Sequence, residues 1–379
     1  MAAIIKTQSA LIGGPSGDIV LSHSAPLPPE PLKDDQVAVA IKAVSLNPVD
    51  TKMTGTYHTP GAVLGCEFAG IVTAAGSVAT SDWDIHVGDR VSAAIMGMNP
   101  LQPRIGAFAQ YTTAPAHVVL KVRDGWTFAQ AAGLGNAWYT VPWALFHALG
   151  LPPGPKLEPL NSRMPPSSTE GPKIPMENPN GTKRTVLVSG GSSSTGTCAI
   201  QLLNLAGFDV VATCSPGNFA LARSYGADEV FDYTSPTCAA DIRAHTRNSL
   251  RLVLDCITTT ETMRLCYAAM GRAGGRYVAL EPYSEAVAAT RAVVRPDWVL
   301  GPEMIGDEVG WPAPHGRKAN PAAKAFCEEW NRTLQGLLDR GMIRTHPLRV
   351  RDTGLTGALE GLEEIRAKKV SGQKLVYTS

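Results

Sequence analysis

Two glycines and four hydroxyl residues in a row, Gly190, Gly191, Ser192, Ser193, Ser194 and Thr195, separate a short apolar run from an apolar-periodic one in VLVSGGSSSTGTCAIQLL. The pattern reads as strand, tight turn, helix. Glycine lets the backbone turn sharply and approach a bound group, and the free amides and positive dipole end of the helix suit a pyrophosphate. Ser193 and Ser194 stand where a strict GxGxxG would place glycine, so an ordinary strand-to-helix turn fits the same residues.

The residues that follow extend the nucleotide-binding reading. Phe208 to Cys214 is a second β-rich run, Ala220 to Tyr225 is helical in pattern, and Glu229 to Tyr233, Leu252 to Ile257 and Arg276 to Leu280 read as three more strands. Strands alternating with helix-length segments predict a doubly wound parallel sheet of Rossmann type. An Asp or Glu ending the second strand would hold a ribose 2′-hydroxyl, but this strand ends in Thr213, Cys214, Ser215, Pro216, Gly217 and Asn218. A carboxylate would repel a 2′-phosphate, whereas hydroxyl and amide donors bind it, so the expected cofactor is NADPH. Tyr233 is placed to close the same pocket, with Arg223 a turn or two beyond Asn218. Each of Ser215, Asn218 and Tyr233 alone also suits a plain turn or strand end.

A chain of 379 residues exceeds what one core usually organises, which predicts two domains. With 34 basic and 33 acidic residues there is no electrostatic reason to expect nucleic acid or a membrane surface. The start MAAIIKTQSALIGG lacks the pattern of a secretory signal, and no apolar run is long enough to span a bilayer. Seven cysteines without CxxC spacing predict small core residues in a reducing, cytoplasmic compartment.

These motifs need elements to hold them. Short strand-like runs between residues 36 and 125 (QVAVAIKAV, GIVTAAG, DRVSAA, AQYTTA, VVLKV) predict a β-rich domain before the nucleotide-binding one. Leu149 to Arg184 carries nine prolines, which predicts an extended surface insertion whose residues 157 to 180 can be deleted with little loss of stability. The expected divisions are 1–140, 141–184 for the connecting helix and insertion, 185–300, and 301–379, which completes the first.

Asn47-Pro48-Val49-Asp50, Gly65-Cys66-Glu67-Phe68-Ala69-Gly70, Val87-Gly88-Asp89-Arg90-Val91, Gly106 to Tyr111, the turn at Gly190 to Gly196 and Ala367 to Val376 resemble, in order and spacing, the medium-chain dehydrogenase/reductase superfamily. That resemblance implies a GroES-like β-rich catalytic domain plus the Rossmann domain. Zinc members of the superfamily need a thiolate where this chain has Asn47 and a histidine where it has Cys66, so no metal is expected. Leu46 to Lys52, Ser192 to Gly196, Ser215 to Phe219, Phe231-Asp232-Tyr233 and Lys369 to Gly372 are similar, more closely, to the trans-acting enoyl reductases of fungal polyketide pathways. The resemblance implies that Pro48, Val49, Asp50, Thr51, Ser192, Ser193, Ser194, Thr195, Ser215, Pro216, Gly217, Asn218, Tyr233, Val370 and Ser371 line the NADPH site. It implies that Gly133, Leu134, Gly135, Asn136, Ala137, Trp138, Tyr139 and Thr140, with Gly301, Pro302, Glu303, Met304 and Ile305, face the substrate.

Conjugate reduction of an enoyl thioester develops charge on the carbonyl oxygen and needs a proton at the α-carbon. Lys52 is the candidate for either task, and Thr140 for a hydrogen bond to the ribose or the carbonyl. Trp138, Tyr139, Trp143 and Phe146 suit an acyl pocket or a core equally. The implied partner is a polyketide or hybrid polyketide-peptide synthase bearing the substrate on a carrier, with the chain a monomer or weak homodimer. A stand-alone quinone or alkenal reductase, and a non-catalytic NADPH-binding member, remain open from sequence.

Overall fold

Seven strands come first along the chain: β1 (Thr7–Gly13), β2 (Ile19–Pro26), β3 (Gln36–Ser45), β4 (Glu67–Ala75), β5 (Arg90–Ala94), β6 (Tyr111–Pro115) and β7 (Val119–Lys121). Six follow in the middle of the chain, β8 (Thr185–Ser189), β9 (Asp209–Cys214), β10 (Glu229–Asp232), β11 (Leu252–Asp255), β12 (Gly275–Ala279) and β13 (Val294–Trp298). The last two are β14 (Leu348–Arg351) and β15 (Lys374–Thr378). The computed structural model describes residues 6–157, 175, 177, 181 and 183–378.

Two compact units emerge, Met1–Asn136 with Pro302–Ser379, and Ala137–Gly301. The first is β-rich. Its main sheet runs β14-β15-β3-β4-β5-β7, with β6 also paired to β3, beside the antiparallel hairpin β1-β2. Along β3, buried Val37, Val39 and Ile41 alternate with half-buried neighbours, the period of a strand with one covered face. β15 arrives from the far end of the sequence and pairs antiparallel with β3.

The second unit is a six-stranded parallel sheet in the order β10-β9-β8-β11-β12-β13. Its central strands are apolar almost throughout, as a sheet covered on both faces requires. Strand order reverses between β8 and β11, and such a switch opens a crevice at the carboxyl ends of the strands. The fold class is thus a Rossmann sheet plus a GroES-like β-rich unit.

Two differences from the sequence reading have physical causes. β13 went unread because Pro296 and Asp297 interrupt its apolar run; as an edge strand it tolerates the missing amide. The Pro-rich segment does not leave the body at Leu149: Leu149, Leu151 and Leu157 are buried, and Gly154 lies against Ala206. Removing Leu157 would therefore cost core packing; residues 158–174 of the insertion lie outside the described residues. No described helix is long and apolar enough to cross a membrane.

Candidate functional site

In the Rossmann unit, β8 ends at Ser189 and the chain turns at Gly190 with φ +80°. A side chain there would meet Ile257 Cδ1 at 2.6 Å. The amides of Gly190 and Gly191 both donate to the Thr213 carbonyl, at 3.1 and 2.9 Å, which ties the turn to the end of β9. At Gly196 a Cβ would lie 2.2 Å from the Gly190 carbonyl oxygen, so only glycine lets the helix Ser194–Ala206 begin so close to the strand. Ser193 caps that helix: its Oγ accepts from the Gly196 amide at 3.0 Å and donates to the Gly190 carbonyl at 2.8 Å. Its hydroxyl therefore shapes the turn, while Ser192, Ser194 and Thr195 stand half-buried around it.

The end of β9 brings its predicted donors together. Asn218 Nδ2 lies 3.2 Å from Ser215 Oγ and 3.4 Å from Ser192 Oγ, and Gly217 between them faces open space. Pro216 opens the short turn that carries Asn218. Tyr233 is exposed in the turn after β10. Arg223 is engaged elsewhere, pairing with Glu229 at 2.7 Å. The nearest strand-end carboxylate, Asp232, accepts from the amide and hydroxyl of Thr234 at 2.9 and 2.7 Å.

The β-rich unit contains a buried polar knot that sequence reading missed. Glu67, wholly buried at the start of β4, is ion-paired with Lys374, which opens β15 and is only 4% exposed. Asn47 donates to Glu67 Oε1 at 2.9 Å and accepts from Lys374 Nζ at 2.8 Å. Ser45 Oγ reaches the same Glu67 oxygen at 2.5 Å, and the Asn136 amide donates to Glu67 Oε2 at 2.5 Å. The available signal was a lone charge at the head of each of two apolar runs, EFAGIV and KLVYT.

This knot anchors the turn that bears Lys52. The Asn47 amide donates to Asp50 Oδ2 at 2.7 Å, and the short helix Pro48–Lys52 follows. Asp50 is fully buried and turned inward, so the structure offers no side-chain contact from it to a cofactor. Burial pushes its carboxyl up to about 7, and its Oδ1 has no hydrogen-bond partner. Pro48 and Lys52 are exposed, Val49 and Thr51 half-buried; Thr51 Oγ1 donates to the Pro48 carbonyl at 2.7 Å, and Arg366 grips the Thr51 carbonyl. Val370 and Ser371 lie on the loop before β15, half-buried and exposed.

The segments expected to face substrate are unequal. Leu134, Ala137, Trp138, Tyr139 and Thr140 are buried, as are Trp143 and Phe146, and Trp143 stacks on His147 with ring centroids 3.7 Å apart. The aromatic residues are thus core-forming, whatever else they border. Gly133 and Gly135 pack closely, the latter with a Cβ position 2.5 Å from Glu67 Oε2. Gly301–Ile305 forms a turn in which Met304 is buried, Glu303 accepts from Asn320 at 2.5 Å, Ile305 accepts from His117 at 3.0 Å, and Gly301 and Pro302 are half-buried.

The donors at the place of a dehydrogenase zinc do not suit that ion. Cys66 is buried beside Asp50, and burial first, then the Asp50 charge, holds its thiol well above the usual range. Asn47 is no thiolate, and Glu67 is neutralised by Lys374. Among the described residues no group of three His, Cys, Asp or Glu side chains is arranged to hold a metal ion.

Residues 33–124 match the alcohol dehydrogenase GroES-like domain, and residues 194–288 the zinc-binding dehydrogenase family. The chain is 69% identical to a trans-enoyl reductase of Chaetomium globosum over the whole of both chains. It is 72% identical to one of Hapsidospora irregularis over 98% of each. A crystal structure of the CurK enoyl reductase shares the fold, with a TM-score of 0.69 over 98% of both chains at 18% identity. A Rossmann turn lined with hydroxyls and amides, a GroES-like unit and full-length relatives at this identity lead to one conclusion: the chain belongs to the trans-enoyl reductase family, oxidoreductases that use a nicotinamide cofactor.

Proposed function

We propose that this enzyme uses NADPH to reduce the α,β double bond of an enoyl thioester held on the carrier of a partner polyketide or hybrid polyketide-peptide synthase. The preference for the phosphorylated cofactor rests on one observation, the convergence of Ser192, Ser215 and Asn218 where β9 ends without a carboxylate. The relatives' names support the trans-acting role.

The nicotinamide supplies a hydride to the β-carbon when bound. The protein's part is to hold and to neutralise. The amides of Ser194 and Thr195 and the hydroxyls of Ser192, Ser194 and Thr195 receive the pyrophosphate, and Ser215 and Asn218 the 2′-phosphate. Lys52, at the end of the Pro48–Lys52 turn, offers an ammonium to the enolate oxygen or a proton to the α-carbon. Thr140 supplies a hydrogen bond to ribose or carbonyl. No metal takes part in this scheme, because Asn47 is no thiolate, burial holds the Cys66 thiol up, and Lys374 already neutralises the adjacent Glu67. Seven cysteines without a disulfide fit a cytoplasmic setting, as monomer or weak homodimer.

The test is to supply the same enoyl group on the cognate synthase and on coenzyme A, with NADPH. Much higher catalytic efficiency on the synthase is expected, together with unsaturated or prematurely released products when the enzyme is omitted. Rapid turnover of small quinones or alkenals with no effect on the synthase's products would instead establish a stand-alone reductase.

A further inference from the structure

The amino-terminal edge of the Rossmann sheet, opposite the cofactor turn, carries a row of cations from β8 to β13, bounded by Asp209 and Asp228 where β9 and β10 begin and where Lys183 faces Asp209. In strand order the segments entering β8, β11, β12 and β13 supply Lys183 and Arg184, then Arg247 and Arg251, then Arg272, then Arg291 and Arg295. The stretches 183–187, 246–254, 270–278 and 290–296 contain no Asp or Glu. These loops form one continuous rim: the Gly271 amide donates to Leu250, Arg276 to Arg251 and Gly275 to Val293, at 2.8, 2.8 and 3.1 Å. The Arg291 guanidinium stitches it further by donating to the carbonyls of Met270 and Gly271 at 3.1 and 2.7 Å.

Like charges adjoin along this rim. Arg184 is held below the usual guanidinium range by burial and by Arg251, and Arg276 by burial and by Arg295. Arg247, Arg251, Arg272 and Arg295 are exposed, and none is in an ion pair among the described residues. Val293, 55% exposed, sits among them. Four neighbouring strand ends span about 14 Å, and strands of this length put about 15 Å between the rim and the carboxyl edge.

We propose that this arginine rim docks an acidic surface of the partner synthase. The inference rests on the carrier-bound reading above and adds to it where the synthase is held. Planar guanidiniums in a fixed row match carboxylates in bidentate pairs, and an exposed valine among them suits a protein surface better than a nucleic acid backbone. A nearly neutral chain gains its steering from such a local field, not from its net charge of +1. Because the rim lies at the opposite end of the sheet from the phosphate turn, a partner seated there leaves the cofactor edge open.

The experiment is the triple reversal Arg251→Glu, Arg272→Glu, Arg295→Glu in the full chain, assayed on synthase-bound and free enoyl thioesters. The expected result is at least a tenfold fall in kcat/KM on the synthase, with turnover of the free thioester within twofold of wild type, which also reports that the variant is folded. The wild-type rate on the synthase should fall as salt rises from about 50 to about 500 mM, and the variant's should not. Unchanged kinetics on the synthase, or equal losses on both substrates, would overturn the proposal. Loss of binding to vesicles rich in phosphatidylserine, with synthase kinetics intact, would reassign the rim to a membrane and overturn it too. A wild type that handles both substrates equally would refute the carrier-bound reading itself, and the docking proposal with it.

Discussion

The polar groups of the two units are organised in opposite ways. In the Rossmann turn the hydroxyls are half-buried and arranged largely by neighbours a few residues away, Ser193 with Gly190 and Gly196, Asn218 with Ser215, and the two turns then meet through Thr213 and Ser192. In the β-rich unit they are buried and drawn from residues 45, 47, 67 and 374, held only because β3, β4 and β15 meet. The first arrangement leaves donors for a ligand. The second uses nearly every donor internally, so it serves to fix the chain that carries Lys52.

That contrast predicts where damage is structural and where it is functional. Lys374→Met should be the most severe change, leaving Glu67 buried without its cation and costing about 3–5 kcal/mol of stability. Adding Glu67→Gln should recover much of the loss, and chemical denaturation of the four members of the cycle measures it. If the single variant unfolds like wild type, the knot is not what holds this unit. Lys52→Ala should leave stability unchanged and lower turnover on the order of 10²-fold, with little effect on NADPH affinity. Unaltered turnover would make it a surface lysine.

In the Rossmann unit the effects should fall on the ligand. Ser215→Asp should weaken NADPH by roughly 1–3 kcal/mol through like-charge repulsion and spare NADH, as titration calorimetry would show. Equal affinity of the wild type for both cofactors would remove the basis for assigning Ser215 to a phosphate.

The smallest effect is one of pH. Burial, with Lys324 and Lys374 adding at His117 and His346, lowers His117, His147 and His346 from 6.5 to about 4. The unfolded chain binds those protons first, so their contribution is present above pH 6.5 and lost as pH falls to about 4. Asp50 works the other way: raised from 3.8 to about 7, it contributes below pH 4 and loses that contribution as pH rises to 7. Three histidines against Asp50, with Asp209 also raised by burial on the same side, make stability rise with pH between about 4 and 6.5. Asp50→Asn should steepen that rise, and urea unfolding at several pH values would detect a slope that stays the same.

How much was legible follows from the same contrast. The phosphate turn and the Ser215 to Asn218 donors could be read because their partners are near in sequence. Glu67 and Lys374 could not be paired, since nothing local relates residues separated by most of the chain. The burial of Asp50 was hidden for a related reason: its motif is local, but the Asn47 and Cys66 surroundings that turn it inward are made by three strands. Leu157 looked like part of a loop because its environment is Gly154 and the helix end at Ala206, not its proline-rich neighbours.

The position of Lys374 also bears on how the protein is made. Its hydrogen bond to Asn47 joins residues 327 apart, so the strand it opens is synthesised long after β3 and β4, which it completes. Residues 137–301 are contiguous and are expected to fold as they emerge during translation. The β-rich unit must instead wait with Glu67 and Asn47 unmatched until residue 374 has been made, which makes it more dependent on chaperone protection than the middle of the nascent chain. Limited proteolysis of stalled nascent chains should accordingly find the middle of the sequence resistant while residues 36–121 remain open to cleavage.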